Sequence, residues 1–234
     1  MKSHIFALIT VLSLTACGGG GGDDNNKIGP GDPMEQAFGA YDIETTMAGN
    51  SILSFGILTP ERMAVFSQYG EVAIYNYSLG GPIGTDISGT GKHYYQGSIY
   101  NGKIDSGTIT SETIDATFSV TGIGEGTLHA EYVPLPDKDL ADLAGTWVDA
   151  ADGISSYVID EDGEISGSDI YGCQVQGSVK QQVRYSIFYE GEITVFNCDE
   201  YSGERDVIMA WLDDIQAVAV FSFNDRVGMF HLLK

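Results

Sequence analysis

The sequence predicts an all-β protein that contains two small antiparallel barrels or sandwiches in tandem. The chain of 234 residues has 31 glycines, 13 tyrosines and 10 phenylalanines, and glycine recurs between short β-branched and aromatic runs. Such a composition, with few long helical periodicities, is typical of all-β folds. In addition, two similar stretches, 34–41 and 140–147, begin about 106 positions apart.

Each of the two stretches predicts the start of a domain. A short helix-like segment is followed by a glycine, one further residue, a large aromatic residue and then a strand, as in Gly39-Ala40-Tyr41 and Gly145-Thr146-Trp147. Between them, 134–138 contains two prolines, which fix φ and lack a donor for a strand ladder. We therefore expect a first β-domain over 36–134 and a second over 139–234.

The N-terminal segment predicts a lipid anchor. An apolar run at 5–16 follows Lys2 and ends in the small residues before Cys17. Its twelve residues are too few for a membrane-spanning helix, which needs about 20, and they are typical of a signal peptide. We expect residues 1–16 to be removed as a bacterial lipoprotein signal and Cys17 to be acylated; an ordinary secretory signal is the alternative.

The residues after Cys17 predict a flexible tether. Residues 18–22 are five consecutive glycines, and Asp and Asn residues follow them. Residues 17–35 therefore have little to bury and form a lipidated linker. Gly18, rather than Asp, directly after Cys17 favours sorting to the outer membrane of the bacterial envelope.

Strands in the first half are predicted from β-branched and aromatic runs between turn residues, with 80–91 as a glycine-rich loop. The predicted strands are 41–46, 51–58, 63–69, 72–79, 94–100, 107–110, 113–120 and 127–133.

The second half carries about eight short strands with tight turns, which predict an antiparallel meander. An Asp-Gly pair within 160–163 marks a hairpin, and 190–192 is predicted as another turn. The predicted strands are 154–159, one from 164, 173–179, 183–189, 193–198, 207–212, 215–223 and 226–233. Closing such a sheet into a barrel would bury one face and remove its edges.

Cys173 and Cys198 predict a disulfide. They are the two cysteines that remain after Cys17, and export places them in an oxidising compartment. The bridge would close a loop worth about 3 kcal/mol in the chain-entropy model. A metal-binding pair is the alternative, although no histidine is close to either cysteine in sequence.

The charge balance limits the partners. The chain has 11 Lys and Arg residues against 33 Asp and Glu residues, a net charge of −22. Nucleic acid and anionic lipid headgroups are therefore not expected as partners, whereas basic partners and divalent cations are physically allowed. The acidity also keeps an exported β-rich protein soluble.

Several segments resemble a widespread group of uncharacterised bacterial lipoproteins. The similar segments are 55–62, 140–147, 159–167 and 172–177, with Cys198 and a strand-rich C-terminal end. The resemblance covers most of the chain after the signal, and it implies a fold rather than catalytic residues. A more distant likeness is to lipocalin-type barrels, through Gly145-Thr146-Trp147 and a late arginine. This likeness implies that Arg226 stacks on Trp147 at one end of the barrel.

The sequence predicts no catalytic residue, metal or cofactor. The acidic run at 160–164 lacks the ligand register of an EF-hand, which favours the hairpin interpretation and leaves at most a weak calcium site in that run or around Asp149, Asp152 and Asp169. His93, His129 and His231 are scattered and are predicted to be ordinary strand residues. Six tyrosines are predicted to pair across strands, with a ligand-binding aromatic surface as the alternative: Tyr69, Tyr75, Tyr77, Tyr94, Tyr95 and Tyr100.

The sequence therefore predicts a non-enzymatic envelope lipoprotein that binds a small ligand or a protein partner. One alternative is a structural or inhibitor-type lipoprotein that acts through its outer surface. Another is a hydrolase whose site carries no sequence mark. An apolar cavity inside a barrel would favour small-ligand binding.

Overall fold

A computed structural model of the protein describes residues 37–80, 86–182 and 185–234. The described chain is all-β and forms two eight-stranded antiparallel sheets in tandem, which confirms the predicted fold class. The predicted signal peptide at 1–16 and the predicted lipidated tether at 17–35, which begins with Cys17, lie outside the described residues.

The first sheet is a closed barrel in which each strand pairs with the next and β1 also pairs with β8. The closing register runs from Ala40 opposite Val133 to Met47 opposite Gly126, so this sheet has no free edge. Its strands are β1 (Gly39–Met47), β2 (Asn50–Leu58), β3 (Arg62–Ser67), β4 (Val72–Gly80), β5 (Asp86–Tyr95), β6 (Ser98–Ile109), β7 (Thr113–Val120) and β8 (Gly124–Val133).

The second sheet has the same strand order but closes at one end only. Asp149, just after β9, bridges Leu233 of β16, and Val148 and Lys234 exchange backbone hydrogen bonds of 2.8 and 2.9 Å. Short 3₁₀ segments lie at Leu140–Leu143, Asp199–Tyr201 and Asp213–Ile215. The strands are β9 (Gly145–Val148), β10 (Ser156–Ile159), β11 (Glu164–Ser168), β12 (Gln174–Gln182), β13 (Tyr185–Phe196), β14 (Gly203–Leu212), β15 (Ala217–Phe223) and β16 (Gly228–Leu233).

Both sheets begin in the same way, as the repeated sequence pattern predicts. Gly39 and Gly145 open β1 and β9 at φ values of +156° and +157°, a conformation that side chains with a Cβ rarely adopt. In each half the aromatic residue two positions later donates a hydrogen bond to the carbonyl four positions before it. Tyr41 Oη donates to Ala37, and Trp147 Nε1 donates to Leu143 at 2.8 Å.

The predicted turn at 190–192 is wrong, because β13 runs unbroken through it. Gly191 pairs with Val179 of β12 and Val207 of β14. A Cβ on Gly191 would lie 2.0 Å from the Ser178 carbonyl oxygen. This glycine therefore permits a close approach of neighbouring strands rather than a turn.

Two predictions around β5 are also wrong. The glycine-rich loop at 80–91 is strand from Asp86 onward, and the single strand predicted at 94–100 is a hairpin. Its two-residue turn consists of Gln96 and Gly97, with φ of +49° and +75°. A pair of positive φ values is the geometry of a type I′ hairpin turn, here built on Gln-Gly rather than the commoner Asn-Gly.

The two halves pack against each other through apolar outer faces. Phe66 stacks on Phe230 with ring centroids 4.2 Å apart, and Phe55 stacks on Phe221 at 6.4 Å. The strands that meet here are apolar on both faces, because one face lines a barrel interior and the other forms this interface. The buried interface residues are Ile57, Ala64, Val72, Ile74, Tyr94, Ile208, Ala210, Phe221 and Phe223.

Candidate functional site

The two barrel interiors differ in how completely they are filled. The first encloses a cavity of about 270 Å³, and the second leaves a space of about 80 Å³. Core clusters fill the remainder of each interior. The first barrel therefore offers the larger enclosed volume for a ligand.

The first cavity has mainly apolar walls and lies toward the end of the barrel where the β1–β2, β3–β4, β5–β6 and β7–β8 turns converge. Tyr69 and Ile123 at this end are 63% and 52% exposed, which places them at the mouth. The opposite end is closed by the buried core residues Phe38 and Tyr41 and by Phe188, which comes from β13 of the second half. Apolar residues of the wall are Met47, Ile52, Met63, Val65, Ala73, Ile104, Ala116, Phe118, Val120 and Leu128.

A chain of three polar side chains crosses the wall of this cavity; we call Glu71, His93 and Tyr75 the polar relay. His93 Nδ1 contacts Glu71 Oε1, and His93 Nε2 contacts Tyr75 Oη. Tyr75 and His93 are 4% and 6% exposed, whereas the Glu71 side chain is 29% exposed. The relay thus runs from a buried phenol to a carboxylate nearer to solvent.

Strand register brings the relay together. Glu71, Ala73 and Tyr75 are spaced by two, so they share the inward face of the β4 segment. Ala73 pairs with His93 of β5, and its small side chain leaves the imidazole room between the other two groups. Ser67 Oγ accepts hydrogen bonds from the backbone N–H groups of Glu71 and Tyr69, at 3.1 and 3.3 Å, which fixes the turn before β4.

Two glycines leave room for the Tyr75 ring. Gly91 pairs with Tyr75 across β4 and β5, and Gly91 also pairs with Gly102 of β6. A Cβ on Gly91 would lie 2.6 Å from the Tyr75 ring, and one on Gly102 would lie 2.6 Å from His93 Nε2. The phenol therefore extends over two strands that lack side chains.

The protonation of the relay follows from its donors and acceptors. A carboxylate only accepts hydrogen bonds, so the contact with Glu71 Oε1 favours the His93 tautomer that carries its proton on Nδ1. Burial raises the pKa of the Tyr75 phenol well above its ordinary value, and the charges of Glu71 and Asp105 raise it further. Tyr75 therefore stays protonated at neutral pH, and in that tautomer its hydroxyl donates to His93 Nε2. Its raised pKa makes the phenol a poor nucleophile.

The relay presents acceptors to the cavity. Tyr75 Oη keeps a lone pair after it donates to His93, and Glu71 keeps its second carboxylate oxygen. Both groups line the cavity. The site is therefore suited to an apolar molecule that carries a hydrogen-bond donor.

A second recess of about 690 Å³ lies between the two halves, and charged residues line much of it. Arg62 pairs with Asp206 at 2.9 Å and Lys92 pairs with Asp225 at 2.5 Å, so these cations already have partners. Tyr94 Oη donates to the Asn224 carbonyl at 2.6 Å across the same boundary. We interpret the recess as the polar rim of the apolar interface.

Cys173 and Cys198 form the predicted disulfide, with Cα atoms 4.8 Å apart. Asp169 lies beside them, and its carboxylate and the two sulfur atoms lie within 4.8 Å of one another. This is the one grouping of three potential metal ligands found in the described residues. Because the sulfur atoms are bonded to each other, they offer no thiolates to a metal.

The expected stacking of Arg226 on Trp147 is wrong. Trp147 lies in β9, next to the C-terminal end of β16, whereas Arg226 lies in the turn before β16 begins. The two residues are thus at opposite ends of the last strand. Trp147 packs edge-on against Trp211, with centroids 5.7 Å apart, and it is Lys138 that lies over the Trp211 ring, at 5.6 Å.

The carboxylates named for a weak calcium site are used by the protein itself. Asp149 Oδ2 lies 2.6 Å from His231 Nδ1, and Asp149 Oδ1 accepts from the Ala151 N–H at 2.9 Å. Asp152 Oδ1 accepts from the backbone N–H groups of Ile154 and Ser155 at 2.7 and 2.8 Å. Asp169 accepts in the same way from two N–H groups of its own turn. These aspartates therefore hold turns in place.

Sequence reasoning treated His93 and Tyr75 as ordinary strand residues and did not identify the relay. The signal that could have found it is the spacing of Glu71, Ala73 and Tyr75 beside a strand with His93 two positions after Gly91. The other five tyrosines have different roles. Tyr69 and Tyr95 line the cavity, Tyr77 donates to the Thr59 carbonyl at 2.5 Å, Tyr94 is in the interface, and Tyr100 is partly buried against the core of the first barrel.

Comparison of the chain with protein-family models, with curated proteins and with solved structures finds no match. Within the part of the chain that the structure describes, no helix has the length and apolar character needed to cross a bilayer.

Proposed function

We propose that this protein is a lipid-anchored component of the bacterial cell envelope and a non-enzymatic binding module, and that its first barrel binds a small apolar ligand with one hydrogen-bond donor. The observation that carries the proposal is the apolar cavity of about 270 Å³ with the polar relay on its wall. An apolar interior with a few placed polar groups is the usual form of a small-molecule site.

The volume sets the size of the ligand. An engineered apolar cavity of about 150 Å³ holds benzene, which has six non-hydrogen atoms. In proportion, 270 Å³ holds roughly ten such atoms. A bicyclic aromatic molecule of the size of indole fits this limit.

The polar relay sets the chemistry of the ligand. Glu71 and Tyr75 present acceptors, so a ligand hydroxyl, N–H or ammonium group is favoured and an anion is disfavoured. The net charge of −22 also disfavours an anionic ligand and favours a cationic one. Hydrolysis is not supported by this arrangement, because Tyr75 ends the relay and its raised pKa keeps it protonated.

The proposed binding is tested with indole and benzofuran, which have the same shape but differ in one N–H group. We expect indole to bind more tightly by the value of one hydrogen bond, about 0.5–1.5 kcal/mol, or roughly two- to twelvefold. Titrations followed by NMR on the full chain measure both affinities. Equal binding of both molecules would show that the relay does not recognise the donor.

A cavity-filling variant locates the site. Ala116→Leu places three extra carbon atoms in the cavity and should abolish indole binding. Ala150→Leu is the control, because Ala150 is exposed on the second half. If neither indole nor benzofuran binds the wild-type chain, a protein that acts through its outer surface would be favoured instead.

The proposed anchor is tested separately. Cys17→Ser removes the acylated thiol, and we expect it to release the protein from the outer-membrane fraction into the soluble periplasmic fraction. Retention of the variant in the membrane fraction would contradict the anchor without affecting the cavity.

A further inference from the structure

Arg205 is a buried cation inside the second barrel. On β14 the alternation of side chains turns Arg205, Val207 and Met209 inward, while Ile208 and Ala210 face the first barrel. Arg205 is only 4% exposed. A guanidinium removed from water in this way is costly unless an anion compensates it.

The hydrogen bonds of Arg205 are incomplete. One terminal nitrogen donates to the Tyr201 carbonyl at 2.6 Å, and the other contacts the Met229 sulfur, a weak acceptor, at 3.1 Å. The Nε atom is buried and has no hydrogen-bond partner among the residues that the structure describes. A guanidinium has five N–H donors. In the described residues, the acceptors of Arg205 are one carbonyl oxygen and one thioether sulfur.

No carboxylate compensates the charge within the described ranges, where none lies within 4.0 Å of the Arg205 nitrogens. The neighbouring Asp206 faces the other half and pairs with Arg62 at 2.9 Å. Burial raises the pKa of the nearby Tyr157 to about 12, so that phenol is neutral. Burial also lowers the pKa of Arg205, the direction expected for a cation without an anion.

The remaining ionisable groups on this interior are engaged elsewhere. His231 is hydrogen-bonded to Asp149 at 2.6 Å. Asp169 accepts from the backbone N–H groups of Tyr171 and Cys173, at 2.8 and 2.9 Å. Both His231 and Asp169 line the same space as Arg205, yet neither is paired with it among the described contacts.

A small apolar space adjoins Arg205. It measures about 80 Å³, and its walls include Val207, Met209, Val220 and Met229. The volume of about 80 Å³ is enough for roughly three non-hydrogen atoms, by proportion to the six of benzene in about 150 Å³. A compact anion with a short hydrocarbon part would fill the space and accept hydrogen bonds from Arg205.

We propose that the interior of the second barrel binds a small carboxylate of one or two carbons, the size of formate or acetate. The planar guanidinium matches a carboxylate geometrically, since two parallel N–H donors can bind its two oxygens. The hydrocarbon end lies against Val207 and Val220. In the described residues β16 meets β9 only around Leu233, so the sheet is open beside Met229 and gives the anion a route inward.

Acetate and acetamide test the proposal on the full chain without any substitution. The two molecules have the same size, but only acetate carries a charge. We expect ¹³C-labelled acetate to bind at least about tenfold more tightly than acetamide, because hydrogen bonds between charged groups are stronger than those to a neutral amide. NMR titration to about 50 mM reaches sites with dissociation constants of about 10 mM.

Substitutions then assign the site. Arg205→Met keeps the length of the side chain and should weaken acetate binding at least about tenfold. Because it removes an uncompensated buried charge, it should also raise the thermal midpoint of the ligand-free protein, which shows that the variant folds. Arg226→Met is the control, since Arg226 is an exposed arginine of the same sheet, and it should change the affinity less than twofold.

Three results would overturn the proposal. The first is the absence of any acetate-dependent shift in the wild-type chain, which would mean that water satisfies Arg205. The second is equal binding of acetamide. The third is an equal loss of affinity in Arg226→Met and Arg205→Met, which would mean that the anion binds at the surface.

Discussion

Substitution of Gly102 by alanine should disrupt the polar relay without changing any of its members. The new Cβ would lie 2.6 Å from His93 Nε2 and 2.9 Å from Tyr75 Oη, closer than real Cβ atoms come to such neighbours. Backbone and side chains must shift to relieve this crowding. The contact between Tyr75 and His93 is therefore the first to be lost.

The cost has two parts. Overpacking in a well-filled interior costs about 1–3 kcal/mol. Leaving a buried imidazole nitrogen without its donor costs about 1–3 kcal/mol more. Together, about 2–6 kcal/mol corresponds to a fall in the thermal midpoint of about 5–14 °C, given an unfolding entropy near 0.4 kcal/mol/K for about 200 ordered residues.

The matched control is Gly107→Ala on the same strand. Its Cβ would lie 2.6 Å from both Ala116 Cβ and the Asp115 carbonyl oxygen, so it is equally crowded but does not touch the relay. Thermal unfolding gives the stability of each variant, and ¹⁵N NMR of the imidazole reports the hydrogen bonds of His93. Gly102→Ala should shift the ring resonances, whereas Gly107→Ala should not. Unchanged His93 resonances in Gly102→Ala would refute the reasoning.

Three further predictions concern the stability of the fold. Replacing Cys173 and Cys198 by alanine should lower the thermal midpoint by about 7 °C, since the bridge contributes about 3 kcal/mol; reduced wild-type protein should melt at the same temperature as the variant. Burial alone would raise the pKa of Asp149, but the hydrogen bonds from His231 and a backbone N–H outweigh it and lower the pKa. Asp149 thus stabilises the fold above its unfolded pKa of about 3.9, and this contribution is lost as the pH falls through the lower folded value. Asp149→Asn should destabilise the protein to urea at pH 7 and weaken the acid dependence below about pH 4, and an unchanged urea midpoint at pH 7 would contradict this role. Phe188→Ala should cost about 3–5 kcal/mol because it removes the base of the first barrel, a loss that an unchanged urea midpoint would exclude.

Local sequence chemistry is sufficient to predict the elements whose cause is local. The hairpin at 160–163 forms because Asp160 Oδ1 accepts from the N–H groups of Asp162 and Glu164, at 3.0 and 2.8 Å, and Gly163 adopts a φ of +85°. The start of each barrel is also set locally. The glycine of the Gly-x-aromatic pattern adopts a positive φ, and the aromatic residue donates a hydrogen bond to the carbonyl four positions before it. The disulfide was predictable because only two cysteines remain after Cys17.

The features that sequence reasoning missed depend on which strands lie side by side. In the sequence, Gly191 has the appearance of a turn residue. In the fold, its missing side chain lets the backbone of Ser178 and Val179 lie close to β13. The polar relay required the pairing of Ala73 with His93, which no short-range pattern specifies. Arg226 was assigned a barrel-end role by analogy, whereas the buried arginine is Arg205.

The interface between the halves was also absent from the sequence prediction. Strands that are apolar on both faces, such as the run around Ala210 in β14, were treated as strands of independent barrels. Their second apolar face is explained only by the other half. Phe188 shows the same dependence, since a residue of the second half closes the base of the first barrel.

The most direct test of this account is the position of indole bound to the full chain. Intermolecular NOEs should connect its ring protons to the methyl groups of Ile104, Ala116 and Leu128 in the first barrel. Those NOEs should vanish in Ala116→Leu. NOEs to Val207 and Val220 of the second barrel instead, or to exposed methyl groups only, would contradict the claim that the first barrel is the binding site.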